Sequence, residues 1–124
     1  MKKILLVEDE SALQKTLGEV LGQEGYEIFS ALNGEVGLRM AKDIKPDLIL
    51  LDLILPKLHG FEVLKGLKGN EETKGIPVIV LTNLESMADI EKAIELGAKG
   101  YLVKAQYSLE EIVKKVKEVF PEEL

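Results

Sequence analysis

One pattern constrains this chain more than any other: five times, a short aliphatic run is followed by a segment with apolar residues at helical spacing. Short strands alternating with helices build a parallel sheet covered on both faces, because a parallel pair needs a long crossover and a helix supplies it. The first run, about residues 3–8, is continuous and aliphatic, as a strand buried on both sides must be. A helix is predicted over about 11–24, with Leu13, Leu17, Val20 and Leu21 on one face and Gly25 as its stop. Residues 26–31 form a weaker strand, and Asn33 offers the N-cap of a helix reaching about Ile44. Pro46 separates that helix from a third strand, 47–52. Pro56 and Gly60 mark the loop into a third helix near 61–67, and 69–75 is a polar connection. The fourth strand is 77–82, the fourth helix about 86–96 with Gly97 at its end, and the fifth strand 100–103. Ser108 and Glu111 have the spacing of a capping box at the start of the last helix. That helix carries the stripe Leu109, Ile112, Val113, Val116 and Phe120.

A chain of 124 residues fits one domain, 1–124, without linker, repeat or low-complexity segment. Its apolar runs, such as Ile76-Pro77-Val78-Ile79-Val80-Leu81, fall far short of the roughly 20 residues needed to cross a bilayer. Met1-Lys2-Lys3-Ile4 resembles the start of a signal peptide, but Glu8, Asp9 and Glu10 interrupt the apolar segment and no small-residue cleavage site follows. A cytoplasmic protein without membrane contact is expected. The absence of cysteine excludes disulfides, thiolate metal sites and cysteine nucleophiles. The only histidine, His59, cannot build a multi-histidine metal site and is expected in an exposed loop. A net charge of −6 argues against direct nucleic-acid binding. Lys114, Lys115 and Lys117 are expected to form one solvated helix face.

In open α/β sheets, function collects at the carboxyl ends of the strands. Glu8 and Asp9 stand at the end of the first strand, Asp52 at the third, Thr82 and Asn83 at the fourth, and Lys104 just past the fifth. Three carboxylates, a hydroxyl and an ammonium thus converge on one rim. Close carboxylates repel unless a cation joins them, and Mg²⁺ suits hard oxygen donors. Such a set fits phosphoryl transfer to a carboxylate: a metal neutralises charge, Asp52 acts as nucleophile, and Thr82 and Lys104 meet phosphoryl oxygens.

At this point the chain resembles the receiver domain of bacterial two-component response regulators, along essentially its whole length. The resemblance rests on Ile4-Leu5-Leu6-Val7-Glu8-Asp9, Pro46-Asp47-Leu48-Ile49-Leu50-Leu51-Asp52, Leu55-Pro56 with Gly60, Val80-Leu81-Thr82, and Gly97-Ala98-Lys99-Gly100-Tyr101-Leu102-Val103-Lys104. It implies a flavodoxin-like, doubly wound sheet in the order 2-1-3-4-5. It also implies Asp52 as phosphoacceptor, and Glu8 and Asp9 as the acidic pair for Mg²⁺, with Asp9 favoured as the direct ligand. The backbone carbonyl of Ile54 would be a further ligand, Thr82 and Lys104 the switch hydroxyl and phosphate-pairing lysine, and Tyr101 an aromatic whose rotamer follows activation. The implied partners are a sensor histidine kinase or phosphotransfer protein and a downstream protein. The last three elements, helix four, strand five and helix five, would offer a face for a partner or a second copy. With no output segment after Phe120, the effect is expected to pass through non-covalent partners, unless the chain is a piece of a longer protein.

Taken singly, these residues have plainer readings. Asp52 reads equally as a helix cap or ion-pair partner, Thr82 as a strand-end hydroxyl, Lys104 as surface charge, and Tyr101 as packing. Met87 and Ile90 read as core. A receiver that binds partners without phosphorylation is the main alternative function. An aspartyl phosphatase of the haloacid dehalogenase type would need an acid where Ile54 stands. A flavodoxin-like cofactor site would place phosphate against the acidic loop Glu8-Asp9-Glu10-Ser11. Three positions depart from the family's habit: Glu8 for the more frequent Asp, Asn83 for a small residue, and Ala105 for proline. A cis bond before a non-proline residue costs about 2.5–4 kcal/mol, so the Lys104–Ala105 bond is expected to be trans. Asn83 is expected to slow phosphorylation or change the phosphoryl lifetime; identical rates in Asn83→Ala, followed with a small-molecule phosphodonor, would reject this role.

Overall fold

The computed structural model describes residues 1–120. The predicted alternation is present throughout: β1 (Lys3–Val7), α1 (Ser11–Gln23), β2 (Glu27–Ala31), α2 (Gly34–Ile44), β3 (Leu48–Leu51), α3 (Gly60–Lys68), β4 (Val78–Thr82), α4 (Met87–Glu95), β5 (Gly100–Val103) and α5 (Leu109–Val119). All pairings are parallel, and the strand order is β2-β1-β3-β4-β5. This is the flavodoxin-like, doubly wound topology that the resemblance implied.

The central strands show why their sequences are aliphatic without alternation. Successive side chains of a strand point to opposite faces. Leu5, Val7, Ile49, Leu51, Val78 and Val80 point to one core, shared with Ala41, Val63, Leu64, Leu67 and Ala93 of α2, α3 and α4. Ile4, Leu6, Leu48, Leu50, Ile79 and Leu81 point to the other, with Leu17 and Leu21 of α1 and Ile112, Val113 and Val116 of α5. Both faces of the sheet are therefore core, and a polar residue is tolerated only where a strand runs out.

The helix starts follow the local chemistry. Asn33 accepts a hydrogen bond from the Val36 amide at 2.9 Å, and Ser86 accepts one from Asp89 at 3.1 Å. The capping box at Ser108 is complete: Glu111 N–H donates to its hydroxyl at 3.1 Å, and Ser108 N–H donates to the Glu111 carboxylate at 2.9 Å. Gly25 and Gly97 follow α1 and α4 at φ 96° and 105°, a region that costs a side chain. His59 is exposed as expected, but it is also the N-cap of α3, where its Nδ1 accepts from the Phe61 amide at 3.1 Å.

Two details differ from expectation. Met87 is 67% exposed rather than core, and Ile90 is only half-buried, because α4 fully buries a single residue, Ala93. A 3₁₀ turn, Lys104–Gln106, intervenes between β5 and α5. The solvated face at Lys114, Lys115 and Lys117 is exposed as predicted. Among the described residues, no helix is long and apolar enough to cross a membrane.

The bonds from the Ser108 backbone N–H and hydroxyl hold the Glu111 carboxyl below the usual carboxylate range. A depressed carboxyl adds stability above its unfolded pKa and loses it as pH falls through the folded one. Ser108→Ala is expected to cost about 1 kcal/mol in urea unfolding at pH 7 and to move the Glu111 titration, followed by carboxyl NMR, only part of the way back up, because the backbone N–H at position 108 still donates to the carboxylate. An unmoved Glu111 titration would show that the cap does not set it.

Candidate functional site

β1 and β3 are neighbours in register, with Val7 opposite Leu51. The residues that follow them, Glu8 and Asp52, therefore emerge side by side at the carboxyl edge of the sheet. Both are almost fully buried, at 4% and 6% exposure. Asp52 is anchored through its backbone, which donates to the Val7 carbonyl at 3.0 Å. Gly60 packs against the backbone of Asp52 and Leu53 so closely that a Cβ there would overlap the Leu53 Cα. Only glycine lets α3 begin this near the acidic residue.

Lys104 reaches the same spot from the end of β5. Its Nζ lies 2.8 Å from Asp52 Oδ2 and 2.6 Å from Glu8 Oε1. The remaining carboxylate oxygens are also engaged: Glu8 Oε2 accepts from the Glu10 amide at 3.0 Å, and Asp52 Oδ1 from the Ile54 amide at 3.2 Å. Asp9 is exposed, and oxygens of Glu8, Asp9 and Asp52 lie within 4.8 Å of one another. A cavity of about 170 Å³ opens over them, lined by Glu8, Asp9, Glu10, Asp52, Ile54, Asn83 and Lys104. Ile54 stands at its edge, 53% exposed.

The electrostatics follow from three acids sharing one base. Burial pushes the Glu8 carboxyl up; Lys104 and the Glu10 amide oppose it, while the Asp52 charge adds to it. Burial alone would lower the Lys104 ammonium, but its bonds to Asp52 and Glu8 outweigh that and hold it above the usual range. Hard oxygen donors with more negative than positive charge are what a small divalent cation requires. The donor set thus fits Mg²⁺.

The other predicted residues, Thr82 and Tyr101, do not line this cavity. Thr82 is fully buried and does not line it; its Oγ1 accepts from the Leu84 amide at a long 3.5 Å. Tyr101 is half-buried, and its hydroxyl donates to the Leu84 carbonyl at 2.7 Å. Burial, then the charges of Asp89 and Asp52, push the Tyr101 phenol up to about 12. One residue, Leu84, is therefore held at both its amide and its carbonyl. The Lys104–Ala105 bond is trans, and the 3₁₀ turn carries the chain away from the site. Gln14 of α1, which carried no signal in the sequence beyond its place on a helix, donates from Nε2 to the carbonyls of Glu8 and Ala31, both at 3.1 Å.

Removing the shared base leaves buried carboxylates unpaired. Lys104→Met is expected to lose roughly 2–3 kcal/mol in urea unfolding at pH 7 without divalent cations, somewhat under the usual cost of breaking a buried pair because the cavity is open to water. Glu8 has a raised folded pKa, so its cost is felt above that pKa and relieved as pH falls through it. The deficit should therefore shrink towards pH 5, and a deficit that grows there would contradict this account.

A family model described as the response regulator receiver domain matches residues 4–117. Sporulation initiation phosphotransferase F of Bacillus subtilis is 37% identical over 120 residues, covering 97% of this chain and 94% of that protein. The chemotaxis protein CheY4 of Vibrio cholerae superposes with a TM-score of 0.89 at 29% identity, over 97% of this chain and 99% of that one. The Mn(2+)-bound form of response regulator Rcp1 gives a TM-score of 0.81 at 35% identity, over 96% of this chain and 91% of that one. The chain spans about half the length, 48%, of the transcriptional regulators it also matches. By fold, acidic rim and sequence, this chain belongs to the response regulator receiver domains, the phosphorylation-activated switches of two-component signalling.

Proposed function

We propose that the phosphoryl group is accepted by Asp52, with Mg²⁺ held by Asp9, Asp52 and the Ile54 carbonyl and with Glu8 beside it. The observation that carries this reading is the buried Asp52 carboxylate, 2.8 Å from the Lys104 ammonium and grouped with Glu8 and Asp9 under an open cavity. A carboxylate there can be reached by a donor but is shielded from competing partners. That response regulator Rcp1, 35% identical, has a Mn(2+)-bound form supports a divalent cation in this domain.

In the reaction, an Asp52 oxygen forms a bond to phosphorus as the phosphorus–nitrogen bond of a phosphohistidine breaks. The imidazole nitrogen keeps the electron pair and takes up a proton, and an acyl phosphate remains on Asp52. When bound, Mg²⁺ offsets the charge that gathers on the phosphoryl oxygens. Lys104 already donates to Asp52 and exchanges that bond for a phosphoryl oxygen. The Thr82 hydroxyl gives up its long contact with the Leu84 amide and turns towards the new anion, leaving Leu84 held through the carbonyl that Tyr101 bonds. The switch thereby reaches β5.

The phosphodonor is a sensor histidine kinase or phosphotransfer protein, which places the domain in the cytoplasm beside it. The output face is α4–β5–α5, where Met87 and Ile94 are 67% and 49% exposed, and its partner is a downstream protein or a second copy. The chain acts as a switch that assists only its own phosphorylation and dephosphorylation. The assembled carboxylates and Lys104 favour this over a phosphorylation-independent binding module.

Intact mass after acetyl phosphate treatment tests the assignment. Wild type is expected to gain one phosphoryl group only with Mg²⁺, and Asp52→Asn none. Addition to the variant at wild-type yield, or none to wild type, would overturn it.

A further inference from the structure

The loop that carries Glu8 and Asp9 leaves the sheet at a point where its ladder stops. β1 and β2 pair up to Val7 and Ala31, and the Glu8 amide still donates to the Ala31 carbonyl at 3.0 Å. One residue later β2 has ended, so no strand amide is left to meet the Glu8 carbonyl. Gln14 meets it instead. Its Nε2 donates to the Glu8 carbonyl and to the Ala31 carbonyl, both at 3.1 Å. A primary amide nitrogen carries two N–H donors, and here both are spent on the two strand ends. The side chain stands in for the next rung of the ladder.

The same residue ties the loop a second way, because its backbone N–H donates to the Glu10 carbonyl at 3.0 Å. The Glu10 amide in turn donates to the Glu8 carboxylate. Carbonyls on either side of Asp9 are thus fixed to one helical residue, while Asp9 itself is exposed. Groups that orient a metal ligand through its own hydrogen bonds set affinity without touching the ion.

We propose that Gln14 is a positioning residue for the acidic pair, its carboxamide bridging the Glu8 and Ala31 carbonyls so that the Glu8–Asp9 turn is held ready for a divalent cation. This rests on the reading of Glu8, Asp9 and Asp52 as the cation site. Gln14 touches neither ion nor phosphoryl group; it acts through the backbone of the residues that would.

The test uses the whole chain, with Mg²⁺ as the probe. Gln14→Met keeps the length of the side chain and removes both donors. It is expected to weaken Mg²⁺ binding, read by NMR titration or calorimetry, about tenfold, the smaller end of the effect for an outer-shell partner. Hydrogen exchange at the Glu8 and Glu10 amides should accelerate while exchange at Leu50, in the core, stays as in wild type. Gln14→Lys, which restores a donor, should recover protection at those two amides. Unchanged Mg²⁺ affinity in a folded Gln14→Met protein, or exchange that rises equally at Leu50, would overturn the proposal. So would exchange in Gln14→Lys as fast as in Gln14→Met. If wild type binds no Mg²⁺ at all, the cation reading itself fails, and the Glu8 and Glu10 exchange rates still decide whether Gln14 orders the turn.

Discussion

One ammonium bridging two buried carboxylates is the interaction on which the working end of this domain depends. Lys104 meets Glu8 at 2.6 Å and Asp52 at 2.8 Å, and all three side chains are largely withdrawn from water. Two buried anions this close are tolerable only with a cation between them. Lys104 supplies one charge, leaving the cluster with Asp9 an excess of negative charge that a metal or an incoming donor must answer. The site thus carries its own imbalance: three carboxylates stand against one ammonium, two positive charges short of neutrality, a deficit that one divalent cation would close.

The strand order makes that bridge a relay. β1 and β3 are adjacent, so Glu8 and Asp52 are neighbours by construction. β5 is not adjacent to either; β4 lies between it and β3. With strands about 4.8 Å apart, Lys104 has to extend across the end of β4 to reach its partners. The last residue of β4 is Thr82. On the proposed reading of Asp52 as acceptor, a shift of Lys104 would take place across the end of the strand that Thr82 closes. A shorter base at position 104 would not span the gap, which is a physical reason for lysine there, independent of any relative.

Much of this was legible in the chain because the sheet is buried on both faces. Short continuous aliphatic runs bounded by turn residues fit strands of that kind, and polar residues at the ends of the runs mark the edge of the sheet. The caps at Asn33, Ser86 and Ser108 are local and could be read as such. What escaped depends on contacts far apart in sequence or on details of packing. Gln14 looks like any polar helix residue, and its partner Ala31 is 17 positions away. His59 caps α3 in place of a more usual serine or aspartate, so its role was hidden by its type. Met87 sits on a helix with so narrow a buried face that apolar character did not predict burial. Thr82 ends a strand and so reads as a rim residue, yet it is fully buried and does not line the cavity that Glu8, Asp9, Asp52 and Lys104 share.

On the proposed reading, the hold on Leu84 gives the switch its direction. Leu84 has two side-chain bonds of unequal length, one on its amide and one on its carbonyl. Its amide meets Thr82 at 3.5 Å, beyond the ordinary range for an N–H···O bond, while its carbonyl receives the Tyr101 hydroxyl at 2.7 Å, an ordinary O–H···O length. Were Asp52 to carry the proposed phosphoryl group, the Thr82 hydroxyl would donate a charge-assisted bond to it, roughly twice as strong as a neutral one. The long contact from the Leu84 amide is what such a turn would give up. Tyr101, on β5, would then hold Leu84 by its carbonyl alone. On that reading the signal passes towards β5 because the Thr82 contact is the weaker of the two; with the lengths reversed, the proposed turn would first have to break the stronger bond.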